Sequence, residues 1–145
     1  MKRLHLHLSV PDLDQGIKFY SAIFASQPSK VKSDYAKWQL DDPRVNFAIS
    51  TRSEAVGLDH LGIQAEAETD VIDVQHRLKA ADFRVSDINN GVCCYSESDK
   101  FWAVDPAGIP WENFVTMKDT EVYGIDNQSQ DSACCEAKPA NDSAG

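Results

Sequence analysis

The sequence has 145 residues, of which 42% are hydrophobic and 26% are charged, a composition typical of one globular domain. Its net charge is −9 and it has no basic cluster, so nucleic acid is not an expected partner. Charges interrupt every hydrophobic run, so we expect neither a membrane-spanning helix nor a secretory signal.

The first predicted elements are a strand and a helix. In the strand, Leu4–Val10, leucines alternate with His5 and His7, so the leucines point to one face and the two histidines to the other. Pro11 and Asp12 predict the start of a helix, with Asp12 as its N-cap. The predicted buried stripe of this helix consists of Leu13, Ile17, Tyr20 and Phe24.

The rest of the chain predicts more strands and a second helix. Strands are predicted over Tyr35–Leu40 and Val45–Ser50, with a turn at residues 41–44. A new alternating strand, Leu58–Ile63, carries His60, and a helix over Thr69–Ala81 follows it. The stripe of that helix is Val71, Val74, Leu78 and Ala81. The later strands are Arg84–Ile88, Val92–Ser96, Lys100–Val104 and Trp111–Thr116, and a turn at residues 105–108 precedes the last of them.

These elements form an internal repeat, because both halves read as a strand, a helix and then further strands. The letters Val45-Asn46-Phe47 even resemble Glu112-Asn113-Phe114. We therefore predict an α+β fold of two βαβββ modules, at about 1–52 and 57–117, that form one domain with a cupped mixed sheet. Residues 118–145 have almost no large apolar side chains and predict a flexible acidic tail.

The repeat places two histidines at equivalent positions. His5 and His60 lie 55 residues apart in the two opening strands, and Glu112 lies in the last strand of the second half. Two imidazoles and one carboxylate suit Fe(II) or another divalent first-row metal and leave coordination positions open. The similar letters make Val45 the position in the first module that is equivalent to Glu112. Valine cannot bind a metal, so three protein ligands are predicted.

Other interpretations of the histidines stay open. A single histidine in a strand is most often structural, and only the repeat favours a ligand role for His5 and His60. His7 shares the face of His5, so it could replace His5 as a ligand or act as an acid–base group. His76 lies on the polar side of the second helix and is expected to be exposed.

The four cysteines occur as two adjacent pairs, Cys93-Cys94 and Cys134-Cys135. A secreted disulfide framework spaces its cysteines to join distant segments, so this pattern favours reduced thiols and a cytoplasmic location. Neighbouring thiolates such as those of Cys93 and Cys94 suit a soft species, for example a trivalent arsenical or cadmium. A small buried hydrophobic pair is the alternative, and the tail pair could scavenge such species or have no function.

The motifs resemble the vicinal oxygen chelate superfamily, which includes glyoxalases, bleomycin-resistance proteins and extradiol dioxygenases. The opening HLHLSVPDLDQGIKFYSAIF, LDHLGIQ and DPAGIPWENF are similar to the segments that carry that superfamily's ligands, which correspond to His5, His60 and Glu112. Across residues 1–117 the chain also resembles ArsI-type organoarsenical C–As bond lyases and related cadmium-induced proteins. It departs from them in two places. Some relatives have Gln where this chain has His5, and Ala25-Ser26 replaces a usual Gly.

The narrower resemblance implies a function. Fe(II), held by His5, His60 and Glu112, would activate dioxygen, while Cys93 and Cys94 bind a trivalent methyl or aromatic arsenical. Cleavage of the carbon–arsenic bond would release arsenite. The purified protein could also contain other divalent metals. A homodimer is a further expectation from the resemblance. Two alternatives remain. One is a thiol-based cadmium or metalloid binder without turnover, and the other is a glyoxalase-type metalloenzyme, whose relatives commonly use a fourth protein ligand.

Overall fold

The computed structural model describes residues 1–93 and 96–119, and for residues 90–93, 96–97 and 117–119 it describes the backbone only. Within these residues the chain runs twice through a strand, a helix and three strands, which confirms the predicted α+β fold of two βαβββ modules. The elements are β1 (Arg3–Ser9), α1 (Leu13–Phe24), β2 (Lys30–Lys32), β3 (Tyr35–Asp41), β4 (Arg44–Ser50), β5 (Gly57–Ala65), α2 (Glu68–Ala80), β6 (Asn89–Cys93), β7 (Ser96–Val104) and β8 (Pro110–Asp119).

The described strands form a single mixed sheet in the order β2-β3-β4-β1-β5-β8-β7-β6. The opening strands of the two modules, β1 and β5, are antiparallel neighbours at its centre. In their register His5 pairs with Gly62 and His7 pairs with His60. These two pairs exchange under a twofold rotation between the strands, so His5 is equivalent to His60, and His7 to Gly62. The central seam therefore brings the repeated positions of both modules side by side.

Each helix covers its own module. Asp12 caps α1, because its side chain accepts a hydrogen bond from the backbone N–H of Gln15 at 2.9 Å, as predicted. The predicted stripe of α1 packs on a buried cluster of Ala36, Trp38, Val45, Phe47 and Ile49. In α2, Val71, Val74 and Leu78 pack with Phe101 and Ala103. Ala81 lies past the end of α2 and is exposed, so its predicted place in the stripe is wrong.

The second module differs from the prediction after its helix. Residues 84–88 do not form a strand, because only Val85 pairs with β7, in an isolated bridge to Ala103. Ser86 anchors this segment through hydrogen bonds to two other elements. Its carbonyl accepts from Gln75 Nε2 at 2.8 Å, and its hydroxyl accepts from the Trp102 backbone N–H at 2.8 Å. The Ser86 backbone N–H also donates to the Trp102 carbonyl at 2.9 Å, so a single backbone bridge and two side-chain hydrogen bonds hold this segment in place of a strand ladder. Residues 97–99, which lie between the predicted strands Val92–Ser96 and Lys100–Val104, instead belong to β7 and pair with β8.

The first module contains a strand that the sequence did not reveal. Strand β2 is only three residues long and pairs with β3 at the edge of the sheet. Two of its three residues are lysines, so it carries no hydrophobic alternation that could signal a strand. None of the helices in the described residues is long and apolar enough to cross a membrane.

Candidate metal centre

The candidate site lies on the face of the sheet that the helices leave uncovered. In a parallel pair, residues in register point to the same face, so Leu6 and Phe47 share the α1 side. His5 and His7 point to the opposite side, as the alternation in β1 predicts. His5, His7 and His60 are nonetheless buried, with exposed fractions of 5%, 1% and 0%.

The three predicted metal ligands converge there. His5 Nε2 lies 3.0 Å from His60 Nε2, and His60 Nε2 lies 3.1 Å from Glu112 Oε2. The remaining distance, from His5 Nε2 to Glu112 Oε2, is 3.6 Å. Glu112 comes from β8, which is parallel to β5 and pairs with it through Gly62. Two central strands and one neighbour thus bring three donor atoms to one point.

The hydrogen bonds at the other ring nitrogens fix which atoms face this point. His5 Nδ1 lies 3.1 Å from the Asn46 carbonyl oxygen, which can only accept, so that nitrogen carries the proton. His60 Nδ1 lies 2.6 Å from Asp59 Oδ2 and likewise donates to a carboxylate. Both Nε2 atoms of the neutral rings therefore present lone pairs to each other and to Glu112. A cation between them satisfies all three donors, so these residues fit a divalent metal.

The electrostatics of the site favour neutral imidazoles and an ionised carboxylate. Burial lowers the pKa of His5 to about 3, and the neighbouring His60 adds to this effect. Burial by itself would raise the pKa of Glu112, but Lys100 and the two histidines hold that pKa well below its usual range. Metal binding requires these protonation states, because an imidazolium has no lone pair to donate.

A β-bulge supplies a partner for His60 that the sequence did not reveal. The register between β1 and β5 shifts from His7↔His60 to Leu8↔Leu58, so Asp59 is an extra residue on β5. Adjacent side chains in a regular strand point to opposite faces, but here Asp59 reaches the ring of its neighbour. Burial alone would raise the Asp59 pKa, but the hydrogen bond to His60 lowers it below its usual range.

Lys100 is the second residue that sequence reasoning missed. Its Nζ lies 3.2 Å from Glu112 Oε1, and both side chains are about nine-tenths buried. Lys100 thus binds one carboxylate oxygen and leaves Oε2 directed at the histidines. A lysine in a strand usually faces solvent, so the residue type gave no sign of burial. The only signal for its position was the alternation of β7, which buries Phe101 on the helix side and so directs Lys100 to the opposite side.

His7 contacts the same site from the neighbouring position of β1. Its Nε2 lies 2.9 Å from Ser50 Oγ, while its Nδ1 has no hydrogen-bond partner among the described residues. Its ring centroid is 4.8 Å from that of His60. Potential ligand atoms of His5, His7 and His60 all lie within 4.8 Å of one another. Burial, together with His60, lowers the pKa of His7 to about 4.

The predicted counterpart of Glu112 in the first module is wrong. Val45 pairs with Leu4, points to the α1 side and belongs to the hydrophobic cluster there. The strand pairing instead makes Ala48 the equivalent position, because Ala48 pairs with His7 as Glu112 pairs with Gly62. The similar letters misled because the segments between strands differ in length in the two modules. Alanine has no donor atom either, so the first module still lacks a counterpart of Glu112.

The predicted thiol site falls outside what the structure describes. Cys94, Cys134 and Cys135 are not among the described residues, and Cys93 is described only by its backbone, which ends β6 opposite Ser96. Two aromatic residues border the metal centre: the Trp102 ring lies 5.2 Å from His60, and the Phe114 ring lies 5.2 Å from His5. His76 is exposed on α2, as predicted.

The sequence matches a known family profile. The profile, described as "Glyoxalase/Bleomycin resistance protein/Dioxygenase superfamily", covers residues 2–112. A "Trivalent organoarsenical cleaving enzyme" of Bacillus sp. (strain MD1) is 39% identical over 96% of this chain and 86% of its own length. A "Probable trivalent organoarsenical cleaving enzyme" of Bacillus subtilis is 36% identical over 98% of this chain and 95% of its own length. A "Cadmium-induced protein CadI" of Mycobacterium tuberculosis is 30% identical over both full lengths.

Solved structures share the fold at low sequence identity. An extradiol ring-cleaving dioxygenase from B. fuscum superposes with a TM-score of 0.61 and 18% identity, over 82% of this chain and 34% of its own length. The Mn(II)-bound glyoxalase from Novosphingobium aromaticivorans superposes with a TM-score of 0.58 and 16% identity, over 91% of this chain and 44% of its own length. At these identities the superpositions establish only the fold, so inferences about the chemistry rest on the positions of His5, His60 and Glu112 in this chain.

Proposed function

The chain belongs to the glyoxalase/bleomycin resistance protein/dioxygenase superfamily, and on that premise we propose that it cleaves the carbon–arsenic bond of trivalent organoarsenicals, using Fe(II) and dioxygen. The observation that carries the proposal is the convergence of His5 Nε2, His60 Nε2 and Glu112 Oε2 within 3.6 Å. The relatives whose names state this activity, at 36% and 39% identity, supply the substrate class.

We assign the metal to His5, His60 and Glu112. The Asn46 carbonyl and the Asp59 carboxylate hold the Nδ1 protons, so each ring offers its Nε2 lone pair without rearrangement. Lys100 occupies Glu112 Oε1, which leaves Oε2 as the ligating oxygen. Three protein ligands leave coordination positions open, and Fe(II) bound here would supply the activation of dioxygen.

The thiols of Cys93 and Cys94 are assigned to the substrate. Thiolates bind trivalent arsenic as soft ligands, whereas the imidazole and carboxylate ligands suit iron, so the two sites select different elements. Capture depends on the thiolate form and weakens as the pH falls below the thiol pKa. Because reduced thiols are required, the reaction belongs in a reducing compartment such as the cytoplasm.

The proposed reaction balances with dioxygen alone. Methylarsenite and one dioxygen molecule give arsenite and one formaldehyde. The carbon–arsenic bond breaks, the methyl carbon is oxidised and dioxygen is reduced, so no further reductant is needed. The rings of Trp102 and Phe114 each lie 5.2 Å from a ligand histidine and would form apolar walls beside the reacting atoms.

The cadmium-induced relatives favour one alternative, a thiol-based binder of cadmium or metalloids without turnover. One experiment separates it from the lyase. The full-length chain is reconstituted with Fe(II) without oxygen and then incubated with methylarsenite in air, and arsenic species and formaldehyde are measured. Arsenite and formaldehyde that require both iron and oxygen support the lyase. Methylarsenite that is bound but recovered unchanged supports the binder and contradicts the lyase.

Matched variants assign the roles within that experiment. Cys93→Ser and Cys94→Ser should abolish release of arsenite and leave the iron content unchanged, because the thiols hold substrate and not metal. His60→Ala should lose the iron. Full activity in both Cys93→Ser and Cys94→Ser would refute the role of these thiols in capturing the substrate. An unchanged iron content in His60→Ala would remove His60 from the ligand set.

A further inference from the structure

His7 is a buried side chain that the three-ligand assignment does not use. It is 1% exposed, and its Nδ1 has no hydrogen-bond partner among the described residues. A buried polar atom without a partner is costly, because folding removes it from water without a replacement. His7 therefore requires an explanation other than packing.

The hydrogen bonds of the three histidines share one pattern. Each ring has one nitrogen held at the periphery: His5 by the Asn46 carbonyl, His60 by Asp59 and His7 by Ser50 Oγ. The remaining nitrogens are His5 Nε2, His60 Nε2 and His7 Nδ1. The first two face the point where Glu112 converges. Ser50 engages the ring of His7 through Nε2, so Nδ1 is the nitrogen that has no partner among the described residues.

The distances allow one ion to contact all three rings. Their potential ligand atoms lie within 4.8 Å of one another. Nitrogen atoms bound to one first-row metal at about 2.1 Å stand roughly 3.0 Å apart when adjacent and about 4.2 Å apart when opposite. The three histidines thus need only small side-chain movements to share one ion.

We propose that His7 is a fourth protein ligand, which binds through Nδ1 to the same cation as His5, His60 and Glu112. This inference rests on the proposed function only in that the metal centre is the same. Four ligands still leave two positions of an octahedral ion open for exogenous groups. The extra imidazole raises the affinity for the later divalent metals, such as cobalt and nickel, more than an oxygen ligand would.

The test uses Co(II) as the probe, added to the full-length, metal-free protein under reducing conditions. Affinity is measured by titration of the visible d–d absorption, and near-ultraviolet thiolate charge-transfer bands report any binding by cysteines. His7→Ala should weaken Co(II) binding by at least about tenfold, and the d–d spectrum should shift, because one nitrogen leaves the ion. Circular dichroism of the metal-free forms shows whether each variant folds.

Two further variants locate the ligating atom. The side-chain oxygen of asparagine reaches the place of Nδ1, whereas that of glutamine reaches the place of Nε2. His7→Asn should therefore retain more Co(II) affinity than His7→Gln, and His7→Gln should resemble His7→Ala. A structural role for His7 would not produce this order among folded variants.

The outcomes separate this inference from the proposed function. Folded His7 variants with the wild-type affinity and spectrum would overturn the fourth ligand, while loss of binding in His60→Ala would keep the three-ligand centre. If His60→Ala also binds Co(II) normally, both assignments fail. Arsenite release by the iron-loaded wild-type chain is measured separately, so the lyase activity can hold while the fourth ligand fails.

Discussion

Asp59 and His60 are sequence neighbours whose side chains meet on the same side of β5, with Asp59 Oδ2 2.6 Å from His60 Nδ1. The bulge at Asp59 makes this contact possible, since a regular strand would direct the two side chains to opposite faces. The carboxylate fixes the His60 ring and its tautomer before any metal binds. The positioning of the site therefore depends on a residue that is not itself a metal ligand.

Removal of the Asp59 carboxylate should weaken the metal centre without unfolding the protein. Asp59→Ala leaves His60 free to rotate and to change tautomer, so we expect metal affinity to fall by about 10–100-fold. Asp59→Asn keeps an oxygen acceptor and should lose less. Asp73→Asn, on the exposed side of α2, is the matched control and should bind metal normally. Equal affinity in Asp59→Ala and this control would contradict the positioning role.

A side chain at Gly62 should displace Glu112. A Cβ built at Gly62 would overlap the carbonyl oxygen of Glu112, so Gly62→Ala must separate β5 from β8. We expect a loss of roughly 1–3 kcal/mol of stability and a loss of metal binding. Gly57→Ala is the comparison, because Gly57 has φ of 118° but no heavy atom within 4 Å of such a Cβ. That variant should lose stability through backbone strain and still bind metal, as measured by urea unfolding and metal titration.

Lys100 should matter most when the metal is absent. Lys100→Met leaves the buried Glu112 carboxylate without its lysine partner, which should destabilise the metal-free protein by about 3–5 kcal/mol. Bound metal supplies a new positive charge, so saturation should reduce the difference from wild type. Urea unfolding with chelator and with metal gives both values. Lys79→Met, exposed near the end of α2, should change stability by less than about 0.5 kcal/mol. A deficit that metal does not reduce would contradict this account.

The end of α1 offers a stabilising substitution. Ala25 is the C-cap and adopts a left-handed conformation, with φ of 48°, that glycine tolerates better. Ala25→Gly should therefore raise the free energy of unfolding by about 0.5–1 kcal/mol, measured in urea. Ala22→Gly, inside the same helix, should lower it by about 0.5–1 kcal/mol. The same sign for both variants would show that the left-handed conformation does not govern the effect.

Asp105 organises the turn that leads into β8 and Glu112. Its carboxylate accepts from the backbone N–H groups of Ile109 and Ala107 and from Trp111 Nε1, and these bonds hold the Asp105 pKa below its usual range. A lowered pKa means that the contribution to stability is complete above the unfolded pKa of about 3.9 and is lost as the pH falls through the lower folded value.

The effect of Asp105→Ala should therefore depend on pH. The variant should be less stable than wild type at neutral pH. The gap should narrow below about pH 4, where Asp105 of the unfolded chain becomes protonated, and close as the pH falls through the lower pKa of the folded protein. Asp105→Asn keeps one acceptor oxygen and should show a smaller gap with less dependence on pH. Thermal unfolding across the pH series measures both, and a gap that widens in acid would contradict the sign.

The sequence predicted the positions of His5 and His60 because both signals are local: alternation sets the face, and the repeat sets the equivalence. Asp59 was beyond such reasoning, since its bulge exists only in the pairing of β5 with β1. The ion pair of Lys100 with Glu112 likewise depends on the pairing of β7 with β8. Val45 failed for a related reason, because similar letters ignored loop lengths that strand register takes into account. The Cys93-Cys94 site stays a prediction.

The two modules meet through the β1–β5 seam, and residues 51–56 alone connect the end of β4 to the start of β5. His5 comes from one side of this connection, while His60 and Glu112 come from the other. A single copy can assemble the centre because the connection lets its chain reverse and pair with itself. Shortening it would force each first module to pair with the second module of another copy. The same ligands would then belong jointly to two chains, and metal occupancy would depend on protein concentration.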